Sequence, residues 1–315
     1  MDQSDAISPT LRVTVLVGGV GGAKLAYGLA QIVPPENLTI IVNVGDDFWH
    51  YGLKVCPDSD TIMYTLSGLV DPVNGWGLSG DTTNMLEMIR KYDEEPWFGL
   101  KDRDLATHLL RTQMLHQGQR LTEVTQFLSQ RLGIRCALLP VTDQEVSTMV
   151  DTVEHGELEF QTYFVRHRWQ PRVKSIRYRG IEAAKLTPEV EQAITTADII
   201  LFGPSNPWLS IEPILAIPGL RDLIQSRAVP RAAVTPIIAG QAVKGPAAKM
   251  MQELGYEVSP ASVADFYGDT INTFIIDDKD LNLRTLNLRT LNFDTMMNND
   301  GDKIRLARQV LTTLG

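Results

Sequence analysis

Val13-Thr14-Val15-Leu16-Val17-Gly18-Gly19-Val20-Gly21-Gly22-Ala23-Lys24 joins a five-residue apolar run to a cluster of glycines, after which apolar residues recur at Leu25, Leu29 and Ile32. The order is buried strand, glycine turn, helix laid back on a sheet. Glycines at such a turn let backbone N–H groups approach a ligand at the positive end of the helix, and phosphate is the natural guest. Neither standard fingerprint fits. Gly19-Val20-Gly21 begins a dinucleotide pattern, but Lys24 stands where its last glycine belongs. A phosphate-cradling Walker loop needs Lys directly after Gly and then Ser or Thr, whereas here Ala23 precedes Lys24 and Leu25 follows it. Taken alone, the stretch predicts an anion site, with a bare strand-to-helix turn as the alternative.

Working outward, Pro34-Pro35-Glu36-Asn37 stops the helix, and Leu38 to Val44 reads as a second buried strand, which makes a βαβ beginning. That strand ends in Gly45-Asp46-Asp47, where a parallel sheet delivers its chain to the ligand crevice. Neighbouring side chains point apart, so one of Asp46 and Asp47 is expected to face the ligand. Cys56-Pro57-Asp58-Ser59-Asp60-Thr61 then precedes an apolar helix, and Asp60 or Ser59 fits its N-cap. Together Asp46, Asp47, Asp58 and Asp60 form an oxygen-rich set of the kind that holds Mg²⁺ beside substrate phosphates and water. Solvated turn acids are the alternative.

Trp76 to Met85 is a glycine-punctuated loop opening a helix, with Asp81 as its cap; further helices follow through Asp104 and His108, and from Thr122 to Leu132. Helices over 76–133 without a strand read as an insertion suited to covering a planar ligand. His108 has no second His at metal spacing and reads as a helix-surface or capping residue. A strand returns at Ile134 to Val141, and Leu158 to Val165 alternates as an exposed strand does. The run Arg166 to Arg179 is the one basic segment, and its interleaved Trp169, Val173, Ile176 and Tyr178 read as the buried side of a solvated strand. A strand at 197–202 ends in Gly203-Pro204-Ser205-Asn206-Pro207, a loop rich in donors. Another at 232–238 leads to Lys244, a phosphate contact or a plain surface lysine. A last strand, 270–276, precedes three copies of a Leu-Asn-Leu-Arg-Thr-like repeat, 281–295, too few and too short for a solenoid.

At 315 residues and 43% hydrophobic content the chain builds an ample core. A formal charge of −9 argues against a nucleic-acid backbone as partner, while nucleotide-sized ligands stay allowed. Cys56 and Cys136 are the only cysteines, which excludes a disulfide framework and a structural zinc site and fits a reducing cytoplasm. No apolar run approaches the roughly 20 residues of a membrane span, and the polar start has no export pattern.

In order, Gly18 to Leu25, Asn43-Val44-Gly45-Asp46-Asp47, Pro57 to Thr61, Gly80 to Met85, Asp102 to His108 and Gly203 to Pro207 resemble the CofD family of 2-phospho-L-lactate transferases, which act in making coenzyme F420; the match runs to about Asp277. The repeat is a departure from the family. The resemblance implies an α/β, doubly wound, mainly parallel Rossmann-like sheet: one domain at 11–280 with the 76–133 insertion over the acceptor site, then the repeat segment and C-terminal helix at 281–315. It implies transfer of a phospho-three-carbon acid from a guanosine diphosphate-linked donor to the ribityl hydroxyl of the deazaflavin FO, with release of GMP. Asp46 or Asp47 would take the inner catalytic role, and Asp46, Asp47, Asp58 and Asp60 would supply the Mg²⁺ ligands. Gly19, Val20, Gly21, Gly22, Lys24, Gly203, Ser205 and Asn206 would hold nucleotide and phosphates. Trp76, Asp81, Asn84, Asp104 and His108 would line the deazaflavin site. A cytoplasmic homodimer is expected. The rival is a non-catalytic nucleotide-sugar-binding regulator of the same superfamily, and which three-carbon acid is carried stays open.

Overall fold

The computed structural model describes residues 7–242, 245–280 and 286–315. Lys244 and the first repeat copy, Leu281 to Thr285, lie outside them.

β1 (Val13–Val17) runs into α1 (Gly19–Ala30), and β2 (Leu38–Val42) follows the proline stop. A hairpin of β3 (Phe48–His50) and β4 (Leu53–Val55) turns through Tyr51 and Gly52, at φ 50° and 74°. α2 (Pro57–Leu66) leads to the helical insertion, α3 (Asn84–Arg90), α4 (Asp104–His116) and α5 (Leu121–Arg131). After β5 (Ala137–Pro140) comes an antiparallel subsheet of β6 (Ser147–Thr152), β7 (Gly156–Glu159) and β8 (Val173–Arg179). α6 (Pro188–Thr196), capped by Thr187, precedes β9 (Ile199–Phe202), α7 (Glu212–Leu215) and α8 (Leu220–Gln225). Next are β10 (Arg231–Val234), the hairpin β11 (Ile237–Ile238) and β12 (Gln241–Ala242), α9 (Ala247–Glu253) and α10 (Pro260–Tyr267). β13 (Thr273–Asp277), β14 (Arg289–Phe293) and α11 (Asp300–Leu314) complete the chain.

Seven strands make one parallel sheet in the order β14-β13-β10-β9-β1-β2-β5. This is the doubly wound α/β arrangement expected from the sequence. Burial on both faces explains why its strands read as continuous apolar runs. Val13, Val15 and Val17 pack with Leu25, Leu29, Leu306 and Val310 on one face, while Leu16, Ile200 and Phe202 pack with Ile214, Leu220 and Val263 on the other. Winding reverses between β1 and β9, so the ligand crevice lies beyond the carboxyl ends of those two strands. The glycine turn and the Gly203–Pro207 loop meet there.

Two expectations are corrected. Leu158 to Val165 is a strand only to Glu159; the chain then coils through a wide helical turn at Thr162–Arg166 that buries Phe160 and Tyr163 against Val150, Leu209 and Met250. Helical spacing puts those two rings on one side, which a strand cannot do. The later repeat copies supply β14, where Leu291 and Phe293 face the core beside α11. Their Leu-x-Leu spacing is a strand period at the sheet edge, a structural part that a solenoid reading would not give. The basic strand is neutralised across the subsheet by Arg177–Glu157, Arg179–Glu159 and Lys174–Asp151 pairs, leaving a mixed solvated face. Among the described residues no helix is long and apolar enough to cross a membrane.

Candidate active site

Gly19 begins α1 at φ +61°, a left-handed conformation that L side chains resist. Gly21 is needed for another reason: a Cβ there would lie 2.3 Å from the Pro204 carbonyl oxygen. Gly22 likewise faces the Ser205 hydroxyl and Val17, and Gly203 abuts Val17 and Gly22. The Ser205 hydroxyl accepts from Gly18 N–H (3.1 Å) and donates to its carbonyl (2.7 Å), tying the two loops across the switch point. Much of this glycine signal therefore reports loop-on-loop packing. Gly21→Ala should destabilise the protein by about 1–3 kcal/mol, because backbone cannot yield as a side chain can; urea unfolding with unchanged m measures it.

Asn206 caps the turn at Pro207–Ile211 by accepting from Trp208 and Leu209 N–H, which leaves its amide Nδ2 buried without a partner. Val20 sits half-buried in the first turn of α1. Lys24 is turned the other way: its ammonium donates to the Met297 carbonyl at 2.8 Å, near the start of α11. The structure removes it from the phosphate turn, since a side chain at that helix position follows the face packed on α11.

The acids converge on the turn. Cys56 occupies the N-cap of α2, so Asp58 and Asp60 fall in its first turn and neither Ser59 nor Asp60 is the cap. Asp58 Oδ1 accepts from Gly19 N–H at 2.6 Å, and its Oδ2 accepts from Asn43 Nδ2 at 3.0 Å. The same amide donates to Asp46 Oδ1 at 2.9 Å. Two buried carboxylates thus share one neutral donor at the positive ends of α1 and α2. Asp60 is spent differently, in a two-pronged pair with the guanidinium of buried Arg111. Asp47 is buried with both carboxylate oxygens lacking a partner.

Burial pushes the Asp46 carboxyl well above its ordinary range, and the charges of Asp58 and Asp47 push it further. Burial raises Asp58 as well. For Asp47 burial outweighs the pull of Lys54 and lifts it to about 7. The folded state therefore holds a proton on Asp47 that the unfolded chain releases near pH 4, so this group lowers stability progressively as pH rises from about 4 to about 7. Asp47→Asn should accordingly match wild type near pH 4 and exceed it in melting temperature by a margin that grows to about pH 7, then levels off. Calorimetry of ligand-free protein across that range checks it.

No Lys or Arg among the described residues forms an ion pair with Asp46, Asp47 or Asp58; Lys54 pairs with Glu145 at 3.6 Å and Arg111 with Asp60. Uncompensated buried carboxylates with hard oxygen donors fit Mg²⁺, which takes one or two protein carboxylates plus phosphate oxygens and water. Among the described residues no three His, Cys, Asp or Glu side chains form a ready metal cage. The carboxylates that fit are thus the pair Asp46 and Asp58, which phosphate oxygens and water would complete, with Asp47 beside them and Asp60 held by Arg111.

A narrow cleft opens beside the acids, lined by Asp46, Asp47, Phe48, Thr148, Glu159 and Gln161 among others. A larger one lies at the far end of β2 and β5 near Gln31, Arg135 and Cys136, away from every acid described above. Next to the first, Phe48 and His50 of the hairpin pack against Trp97 and Phe98, with Phe48–Phe98 ring centres 4.9 Å apart. This aromatic wall was missed because the hairpin turn is Tyr-Gly rather than Asn-Gly; the short Phe48–Val55 alternation was its one signal.

The insertion residues form an internal network. Asp81 accepts from Arg103 N–H (2.7 Å) and Asp104 N–H (3.0 Å), capping α4 rather than α3. Asp102 in return accepts from Asn84 N–H (2.9 Å) and Met85 N–H (2.8 Å), and the Thr82 hydroxyl is the leading donor that holds its carboxyl near 2. Asn84 Nδ2 also donates to Asp102. Tyr64 of α2 donates to Asp104 at 2.6 Å. His108 is buried, not at the helix surface: its Nδ1 lies 3.1 Å from Arg111 and its Nε2 3.2 Å from Asp104, the latter without hydrogen-bond alignment. Asp81, Asn84, Asp104 and His108 are brought together; Trp76 stands apart on a loop, about half exposed.

The model of the family 2-phospho-L-lactate transferase CofD matches residues 13–313. The chain is 40% identical over 311 residues to a phosphoenolpyruvate transferase of Streptomyces coelicolor, covering 96% of this chain and 98% of that protein. It is 39% identical over 266 residues to a 2-phospho-L-lactate transferase of Methanosarcina mazei, covering 84% and 87%. In fold it is similar to the crystal structure of a UPF0052 family protein from Bacillus halodurans, with a TM-score of 0.64 at 15% identity over 96% of this chain and 99% of that one. By sequence match along nearly its whole length and by the sheet that carries the glycine turn and the acids, this chain belongs to the CofD family of transferases.

Proposed function

We propose that the protein transfers a phospho-three-carbon acid from a guanosine diphosphate-linked donor to the ribityl hydroxyl of the deazaflavin FO, releasing GMP, in coenzyme F420 biosynthesis. The observation that carries this reading is the convergence of Asp46 and Asp58 on Asn43 Nδ2, with Asp58 also accepting from the N–H of Gly19, which joins reactive acids to an anion turn. A site that only binds a nucleotide sugar has no need of three buried carboxylates without an ion-pair partner among the described residues, whose burial is costly. The similar proteins include both a phosphoenolpyruvate transferase and a 2-phospho-L-lactate transferase, so the reading is of the class of acid.

Transfer requires alignment and charge neutralisation more than a strong nucleophile. The glycine turn and Asn206 Nδ2 supply donors for the diphosphate, and the acceptor ring lies against Phe48, His50, Trp97 and Phe98. Asp46 and Asp58 would hold Mg²⁺, which when bound neutralises the diphosphate and the leaving GMP. Asp47, lifted to about 7 and facing the cleft, accepts the proton of the attacking hydroxyl. The hydroxyl oxygen bonds to the phosphorus that bears the acid, and the bond from that phosphorus to the bridging oxygen of GMP breaks. Asp47 must be ionised to act, so kcat should rise with pH over its titration, with the limb absent in Asp47→Asn and kcat there down by about 10²–10⁴-fold. Chelation with EDTA should stop product formation, and Mg²⁺ should restore it; full activity in excess chelator contradicts the cation's part.

A further inference from the structure

We infer that Asn43 is a positioning residue for the transfer, holding Asp46 and Asp58 as one clamp by a donor that brings no charge; the inference rests on the reading above.

Asn43 directly follows β2, fully buried, with its own N–H on the Val17 carbonyl of the central strand at 3.1 Å. Every polar atom of its side chain is engaged. Oδ1 accepts from Gly45 N–H at 2.7 Å. Nδ2 reaches Asp46 Oδ1 at 2.9 Å, Asp58 Oδ2 at 3.0 Å and the Leu209 carbonyl at 3.3 Å. Those partners fix the orientation of the amide: three acceptors surround Nδ2, and a flipped oxygen would face two carboxylates. Gly45 and Leu209 lock the group, and the carboxylates are what it holds.

The contrast with Asp60 gives the arrangement its meaning. Asp60 faces a guanidinium, which satisfies its hydrogen bonds and cancels its charge. Asp46 and Asp58 face a carboxamide, which satisfies hydrogen bonds and leaves both charges uncancelled. A cationic residue at position 43 would compete with a metal ion for the pair; an amide fixes their spacing and leaves them free to bind one. Outer groups that orient ligands in this way are worth about 10–100-fold in affinity or activity.

The test is a cycle of Asn43→Ala, Asp46→Asn and the double variant, read by acceptor kinetics and by Mn²⁺ titration of ligand-free protein followed by electron paramagnetic resonance. Asn43→Ala should lower kcat about 10–100-fold with the acceptor KM unchanged and weaken Mn²⁺ binding by about tenfold or more. In the Asp46→Asn background, adding Asn43→Ala should change kcat by less than about threefold, because the residue acts through the pair. Should Asn43→Ala not yield folded protein, Asn43→Ser, which keeps one short donor, is read in the same way. Unchanged Mn²⁺ affinity, or losses in kcat that multiply across the cycle, overturns the inference. Wild type that binds no Mn²⁺ is a separate result: it overturns the cation reading, and the inference with it.

Discussion

Asp46→Asn should lose transfer almost completely and melt higher than wild type. Its carboxyl is buried, sits beside Asp58 and has no cationic partner among the described residues, so the folded state carries its charge at a cost. A carboxamide removes that cost at nearly the same volume. On the proposed mechanism the same change also withdraws one anionic ligand from the cation that would neutralise the diphosphate. Such stabilisation of developing charge is worth several kcal/mol, and at about 1.4 kcal/mol per factor of ten the loss in kcat is on the order of 10³-fold. Stability and activity therefore move in opposite directions, the pattern of a strained functional site. Steady-state kinetics with calorimetry at pH 7.5 checks both at once; a variant that melts lower and keeps its turnover contradicts the placing of Asp46.

Arg111 has the opposite character. Arg111→Ala should destabilise the protein by about 3–5 kcal/mol, because it strands Asp60 as a buried unpaired charge. For a chain of this size that is a fall in melting temperature of about 10 °C. The loss also frees α4 from the Lys54 carbonyl, so the insertion should loosen and hydrogen exchange in α4 should quicken. Pairing the change with Asp60→Leu should recover much of the stability, since replacing both partners leaves no lone charge. Denaturant unfolding of the single and double variants measures the coupling.

The two acid pairs explain what could be read from sequence. Val13 to Lys24 and Leu38 to Asp47 carry strand and turn patterns that depend on neighbouring residues alone, and both lie where expected. The four aspartates were legible as a set because strand-end loops of a parallel sheet converge. Their division was not: Asp60 goes to Arg111, 51 residues away, and Asp46 and Asp58 go to Asn43. Long-range pairing leaves no mark in local periodicity. The same holds for Lys24, whose partner is the Met297 carbonyl, and for Asp81, which caps a helix 23 residues on. The subsheet β6-β7-β8 was half visible, since Tyr163 and Phe160 carry helical spacing inside what otherwise alternates.

The central claim is that the acids and the glycine turn transfer a phosphorus together with its three-carbon acid. Mass spectrometry of FO incubated with enzyme, Mg²⁺ and each guanylylated three-carbon acid tests it directly. The account predicts an FO adduct heavier by the phospho-acid, formed one for one with GMP and about 10³-fold more slowly with Asp46→Asn. An unchanged FO mass with every donor, or release of GDP in place of GMP, would contradict it.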